Sequence, residues 1–573
     1  MPPLGPECND NILPREPATH LFHDKDYNLE NFTVVWLDAD IDKTNDCYDT
    51  KKRLKTIANH LRTFCDIDEC IDYISSVKMA QVLLIVSGSF GEIIAPLIFE
   101  LSQITFIYIF CRNKIKHETW ANHQLSNQNK IRGVFTHKDS LLIQIAEDAK
   151  VLSKDMTPLN VFSLTHNEKL ICALYKESAV FMWNQLLMDV LLRMPKSDES
   201  KMEMLTECES YYRDNAKELE KINDFRLNYS SDAAVLWYTR DSFVYRLVNK
   251  ALRTRDIDII FKFRSFTVDL YRQLQKEHPK FMKSFDEYFP TVYRGQHLKA
   301  DELQVLKDNI GLLISMNTFI STTFDKHVAS IHAGDGSFSP IWESILFEIK
   351  INTRIHTKPY ANIRELSFWT DEDEVLFSVG TIFRIESIEK QIGSGIWSVK
   401  LLLDTEDDEQ LKALSQQIRE ENDGPCDLNM LGGLLRQMGE YSKAERYLRR
   451  LINQTSPNDP NKSTFYNNIG LVYKDQGNYF QALKYYQQAL EIQLKTLGPN
   501  HPSIATTYNN IGVVYKDQGE YSQALKYYQQ ALEIQLKTLG PNHPSIATTY
   551  NNIGLVKVKG SCLAFIKYPP GKE

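Results

Sequence analysis

Three short motifs stand in order within residues 293–377 and carry side chains suited to breaking a glycosidic bond: Tyr293-Arg294-Gly295, Phe319-Ile320-Ser321-Thr322-Thr323 and Glu372-Asp373-Glu374-Val375-Leu376-Phe377. Successive side chains on a strand alternate faces, so Glu372 and Glu374 share one. Two carboxylates on one face repel each other, and a fold without a use for them rarely retains the pair. A C–N glycosidic bond breaks through an oxocarbenium-like state, which a nearby carboxylate stabilises. An arginine fork suits a pyrophosphate or a ribose hydroxyl. A glycine lets backbone N–H and C=O groups approach a planar amide. Taken singly, each motif is common: the two glutamates also read as a solvated strand edge, and Arg294 as a surface ion pair. Their order, spacing and shared strand context make them a set.

The elements that must position these residues follow from periodicity. Helical spacing with aromatics and charges runs through Val180–Met194, Ser200–Ile222, Ser231–Arg253 and Ile257–His278. Strand-like segments then take over at Thr291–Arg294, Leu312–Thr322, Ser344–Ile351, Glu374–Phe377, Ile382–Ile388 and Ile396–Leu403. A helical lobe followed by a run of strands predicts an α+β domain over 165–405.

The set resembles the Arg–Ser–Glu class of ADP-ribosyltransferases, which includes arginine-specific enzymes. The likeness extends to Trp237-Tyr238-Thr239 with Tyr245 and Leu252, and to Gly380-Thr381-Ile382-Phe383-Arg384-Ile385. It implies NAD⁺ as co-substrate and a protein arginine as acceptor. In that class Arg294 holds the nicotinamide ribose and phosphate, and Gly295 bonds the carboxamide through its backbone. Ser321, with Thr322 beside it in the cofactor site, orients the catalytic Glu374 on the ribose 2′-hydroxyl. Glu372 engages the acceptor guanidinium. The loop Arg364–Asp371, with Phe368 and Trp369 exposed, resembles the family's substrate-recognition loop. The second motif reads Ser-Thr-Thr where the family usually has Ser-Thr-Ser, which keeps the hydroxyl. A glycohydrolase using water as acceptor and an inactive transferase fold serving a repeat scaffold are the alternatives; Glu372 argues against the first and the intact Arg–Ser–Glu set against the second.

Upstream, Val82–Val86 and Ile104–Phe110 are continuous apolar runs alternating with helical spacing, which predicts a doubly wound α/β domain over 31–155 behind a flexible leader, 1–30. Asp38 and Asp40 follow its first strand, where such sheets bind ligands, although a turn or helix cap explains them better. Downstream of an acidic linker, 406–424, Tyr466-Asn467-Asn468-Ile469-Gly470 recurs at Tyr508 and Tyr550, at intervals of 42 residues. Small residues (Gly470, Ala482, Ala489) alternate with Tyr473 and Tyr486, the pattern of tetratricopeptide helix pairs, and the long period resembles kinesin light chain. An α-solenoid over 425–556 is expected to bind a protein partner. After Val556 the pattern gives way to a divergent tail, 557–573, which reads as an array cut short in a fourth unit in preference to a tail that folds back as a cap.

The whole is therefore multidomain, as 573 residues require. A net charge of −8 disfavours a nucleic-acid partner. The nine scattered cysteines show no paired metal-ligand spacing, so no metal is expected, and none lies between Cys208 and Cys426. With no basic-then-apolar leader and no apolar run of about 20 residues, no membrane is expected and the reading is cytoplasmic. The absence of a phosphate-cradling glycine pattern before residue 155 predicts that a fragment starting near residue 160 binds NAD⁺ as the whole chain does. A large loss of affinity in that folded fragment, measured by calorimetry, would contradict this division.

Overall fold

The structure, a computed structural model, describes residues 28, 30–41, 43–77, 80–128, 130–154, 159–162, 181, 183, 185–194, 198–240, 242–284, 289–334, 342–355, 357–371, 373–404, 428–456, 459–540 and 543–567. The expected leader apart from residues 28 and 30, the acidic linker and the last residues of the tail lie outside these. The chain divides into two compact units, residues 1–117 with 132–149, and residues 118–131 with 150–573.

The first unit is built on a sheet of β1 (Phe32–Leu37), β2 (Leu61–Phe64), β3 (Gln81–Ser87), β4 (Ile104–Phe110) and β5 (Ile131–Phe135) in the order β2-β1-β3-β4-β5. β1 runs parallel to β2 and β3, and β3 to β4. β1, β3 and β4 are buried along almost their whole length. This is why they read as unbroken apolar runs: helices connect the strands, and neither face can be polar. Asp38 accepts the backbone N–H of Asp40 at 2.9 Å and Asp40 pairs with Lys43 at 3.1 Å, so the two acids make a local turn.

The second unit holds the helical lobe, a nine-stranded sheet and the repeats. The sheet order is β11-β12-β9-β7-β10-β14-β13-β8-β6. Its strands are β6 (Leu159–Phe162), β7 (Thr291–Lys299), β8 (Leu313–Met316), β9 (Ile320–Thr323), β10 (Trp342–Lys350), β11 (Tyr360–Asn362), β12 (Glu374–Phe377), β13 (Ile382–Lys390) and β14 (Trp397–Leu403). β6 pairs with β8, so this sheet begins ahead of residue 165 and a fragment that keeps it must start before Leu159. The expected single strand Leu312–Thr322 is two strands. At Asn317-Thr318-Phe319 the chain leaves β8, which pairs with β13, and enters β9, which pairs with β12. The expected helices Ser231–Arg253 and Ile257–His278 are likewise broken, the first after Thr239 and the second at Phe263.

The repeats form the helix pairs Leu428–Gln437 with Tyr441–Gln454, Asn461–Asp475 with Tyr479–Thr496, and Pro502–Asp517 with Tyr521–Thr538, then a further helix, Pro544–Lys567. Gly470 and Gly512 are glycine because a Cβ there would lie 2.5 and 2.6 Å from the rings of Tyr486 and Tyr528. Neighbouring units are stitched by amide bonds such as Asn510 Nδ2 to Asn467 Oδ1, 3.2 Å.

The first repeat packs on the helical lobe. Arg446 Nε lies 2.7 Å from Asp258 Oδ2, the Arg450 guanidinium sits 3.9 Å above the Phe261 ring, and Lys443 Nζ donates to the Thr254 carbonyl at 3.3 Å. The Asp258 side chain is 8% exposed and that of Arg446 49%. Burial pushes the Asp258 carboxyl up, and Arg446 pulls it back. Arg446→Ala is expected to cost about 1–2 kcal/mol at neutral pH, less than for a fully buried pair because the arginine is half in water. A carboxyl raised in the folded state weakens folding while ionised, so the loss should shrink as pH falls through its raised pKa. Thermal unfolding of the variant at several pH values measures this.

Candidate active site

β7 is the hinge of the site. It pairs with β10 along its whole length, from Thr291 against Lys350 to Lys299 against Trp342. With β9 on its other side it shares a single register position, Tyr293 against Thr323. β9 then pairs regularly with β12, Glu374 lying opposite Thr323 and Leu376 opposite Ser321. The sheet is therefore laddered on both sides of a split between β7 and β9, and the three motifs occupy the three strands around that split.

Arg294 spans it. Its Nη1 donates to the Ser321 carbonyl at 2.9 Å and its Nε to Gln296 Oε1 at 2.9 Å. Gln296 is 1% exposed, two residues along the same strand, so it is a fixed post for the guanidinium. Ser321 and Thr323 share a face of β9, and Glu374 stands across from Thr323, diagonal to Ser321. Thr322 faces the other way. It is 3% exposed and donates its hydroxyl to the Val375 carbonyl at 2.8 Å, clamping β9 to β12 beneath the site. Glu372 lies outside the described residues.

Gly295 has a packing reason beside any ligand contact. A Cβ there would fall 1.8 Å from the Ala329 carbonyl oxygen and 2.4 Å from the Ala333 nitrogen, so only glycine lets the helix Lys326–Ala333 lie against β7. Tyr293, on the same face, packs on Ala329 and Ala333.

Tyr238 closes the site from the helical lobe. Its hydroxyl is 3.1 Å from Asn249 Oδ1 and 3.4 Å from the Phe319 carbonyl, and its ring meets Phe319 and Tyr245 at 5.6 and 5.1 Å. Burial pushes its phenol well above the usual range; Tyr245 and Glu374 push the same way and Arg294 opposes them. The roles of Tyr238, Asn249 and Gln296 were not read from the sequence. Gln296 had a signal, since it follows Arg294 at the strand period of two; Asn249 had none.

The loop after β11 carries Phe368 and Trp369, 45% and 55% exposed, edge to face at 5.2 Å. Arg364 closes the loop on itself, donating Nε to the Thr370 carbonyl at 3.1 Å and Nη1 to Asp373 at 3.3 Å. Among the described residues no cluster of three His, Cys, Asp or Glu side chains could hold a metal ion, and no helix is long and apolar enough to cross a membrane.

Residues 189–407 match the family described as NAD:arginine ADP-ribosyltransferase, and residues 428–463, 462–537 and 504–559 match tetratricopeptide repeat families. The chain joins an ADP-ribosyltransferase domain to tetratricopeptide repeats. Among solved structures it is similar to the ADP-ribosyltransferase toxin Vis of Vibrio splendidus, 22% identical over 37% of this chain and 89% of that one, TM-score 0.23. It is similar also to the ADP-ribosyltransferase HopU1 of Pseudomonas syringae pv. Tomato DC3000, 17% identical over 37% of this chain and 100% of that one, TM-score 0.25. Its repeats are similar to BtubC of P. vanneervenii, 20% identical over 29% of this chain and 76% of that one, TM-score 0.22. No curated protein matches the chain.

In the transferase domain Gly295→Ala is expected to destabilise by about 2–3 kcal/mol, the cost of overpacking against backbone that cannot yield. Gly554→Ala, where a Cβ meets nothing within 4 Å, serves as the control and should unfold close to wild type in urea.

Proposed function

We propose that the chain transfers ADP-ribose from NAD⁺ to arginine side chains of proteins in the cytoplasm, its repeats recruiting the target or a regulator. The observation that carries this is Arg294 bridging the β7/β9 split to Ser321, with Glu374 on the adjoining strand. Arg294 holds the nicotinamide ribose and its phosphate, the backbone of Gly295 takes the carboxamide, and Ser321 orients Glu374 on the ribose 2′-hydroxyl. Thr322 supports them from beneath. The bond from the ribose anomeric carbon to the nicotinamide nitrogen breaks with its electron pair leaving on nicotinamide. Glu374 stabilises the positive sugar left behind. A guanidinium nitrogen then bonds to the anomeric carbon and gives up a proton.

An arginine is always protonated in water, so it needs an anionic partner to orient it and accept that proton. Glu372, two residues before Glu374, takes that role, and Phe368 and Trp369 frame the acceptor. The first unit is read as doubly wound, because its strand order turns back between β1 and β3.

The two carboxylates separate in a single experiment. Glu374→Gln is expected to suppress both arginine transfer and NAD⁺ hydrolysis by about 10²–10³. Glu372→Gln is expected to lose transfer to agmatine while retaining slow hydrolysis. The measurement is nicotinamide release with and without agmatine for both variants; equal loss of hydrolysis in the two would remove the main support for an arginine acceptor.

A further inference from the structure

The residues Trp237-Tyr238-Thr239-Arg240 end the short helix Ala234–Thr239, and each side chain does something different. Trp237 is buried, and Tyr238 packs on Phe319. Thr239 donates its hydroxyl to the Val235 carbonyl at 3.0 Å and accepts the backbone N–H of Phe368 at 2.9 Å. Arg240 leaves the helix in an extended conformation, φ −67° and ψ 144°. Its guanidinium carbon sits 4.9 Å from the Trp237 ring and 5.7 Å from the Phe368 ring, while Nη1 lies 2.7 Å from Asp224 Oδ2.

These contacts reach the acceptor loop from outside it. Arg364 closes the loop internally but does not fix where it stands against the helical lobe. Two exposed rings on an unanchored loop would sample many orientations, and each would have to be frozen at the moment of transfer. The Thr239 hydroxyl and the Arg240 guanidinium supply the anchor. Because Tyr238 precedes them in the same helix turn and packs on Phe319, the loop's position is referenced to the start of β9. Asp224 neutralises Arg240, so the anchor does not repel a cationic acceptor.

We propose that Arg240 is a positioning residue for transfer to the acceptor: held by Asp224 and stacked between Trp237 and Phe368, it keeps the Phe368–Trp369 edge of the loop in a fixed place, so that the acceptor guanidinium meets a preformed surface. This rests on the transferase reading above and adds to it the device that sets acceptor affinity.

The test uses the full chain labelled with 5-fluorotryptophan, its seven tryptophans giving separate fluorine resonances and Trp369→Phe identifying that of Trp369. In Arg240→Ala the Trp369 resonance shifts or broadens. The KM for agmatine rises and kcat/KM falls by about 10- to 10²-fold, the range that misplacing a bound group commonly causes. NAD⁺ hydrolysis without acceptor stays at the wild-type rate. Arg240→Lys recovers part of the loss, since it keeps the charge for Asp224 but not the planar stacking face. Thr239→Val, which removes the acceptor for the Phe368 N–H together with the hydroxyl's local bond to the Val235 carbonyl, replaces Arg240→Ala if that variant fails to fold. An unchanged Trp369 resonance with an unchanged agmatine KM overturns the proposal, as does equal loss of hydrolysis and transfer. A wild-type chain that transfers nothing to agmatine instead overturns the transferase reading, and the fluorine spectra still decide whether Arg240 holds the loop.

Discussion

One charged hydrogen bond reconciles two demands on the second unit's sheet. On the proposed function the strands around the motifs must part to admit a dinucleotide, yet parted strands lose their ladder and leave backbone groups to be satisfied elsewhere. Arg294 meets both demands by donating to the Ser321 carbonyl across the split between β7 and β9. The guanidinium is planar and always charged, so it fixes the width of the opening and presents positive charge inside it. Gln296 holds its other side, and Thr322 keeps β9 on β12 from below. Ser321 and Glu374 then need only the ordinary alternation of antiparallel strands to come side by side.

The rest of the unit supports that opening from behind and above. The helix Lys326–Ala333 braces β7 through Gly295, whose missing side chain sets the approach. The helical lobe packs Tyr238 on Phe319 at the entry to β9 and, in the same turn, holds the loop that carries Phe368 and Trp369. The first repeat packs on that lobe through Asp258, Phe261 and Thr254. Flexible tethering through a linker would leave that geometry undefined; direct packing of helix on helix defines it.

Much of this was legible in the sequence because the signals are local. The strand period sets Ser321 and Thr323 on one face, the 42-residue period exposes the repeats, and unbroken apolar runs announce the parallel sheet. What was not legible depends on distant partners. Leu312–Thr322 carries no proline, and its one glycine neighbour, Gly311, precedes it; the break at Asn317–Phe319 exists because β8 and β9 ladder on opposite flanks of the sheet. Thr322 was read with Ser321 as a cofactor contact, but adjacent residues on a strand face opposite ways, and its side chain is buried. Arg446 and Arg450 look like a solvated helix face until Asp258 and Phe261, almost 190 residues away, are brought beneath them.

The central claim is that this opening delivers ADP-ribose to a guanidinium and not to water. The direct measurement incubates the full chain with NAD⁺ labelled in its adenylate part and with agmatine, then treats the isolated product with neutral hydroxylamine. Label is expected on agmatine and is released by the hydroxylamine treatment, as a bond to arginine-like nitrogen is. Label recovered only as free ADP-ribose, or an adduct that resists hydroxylamine, would contradict it.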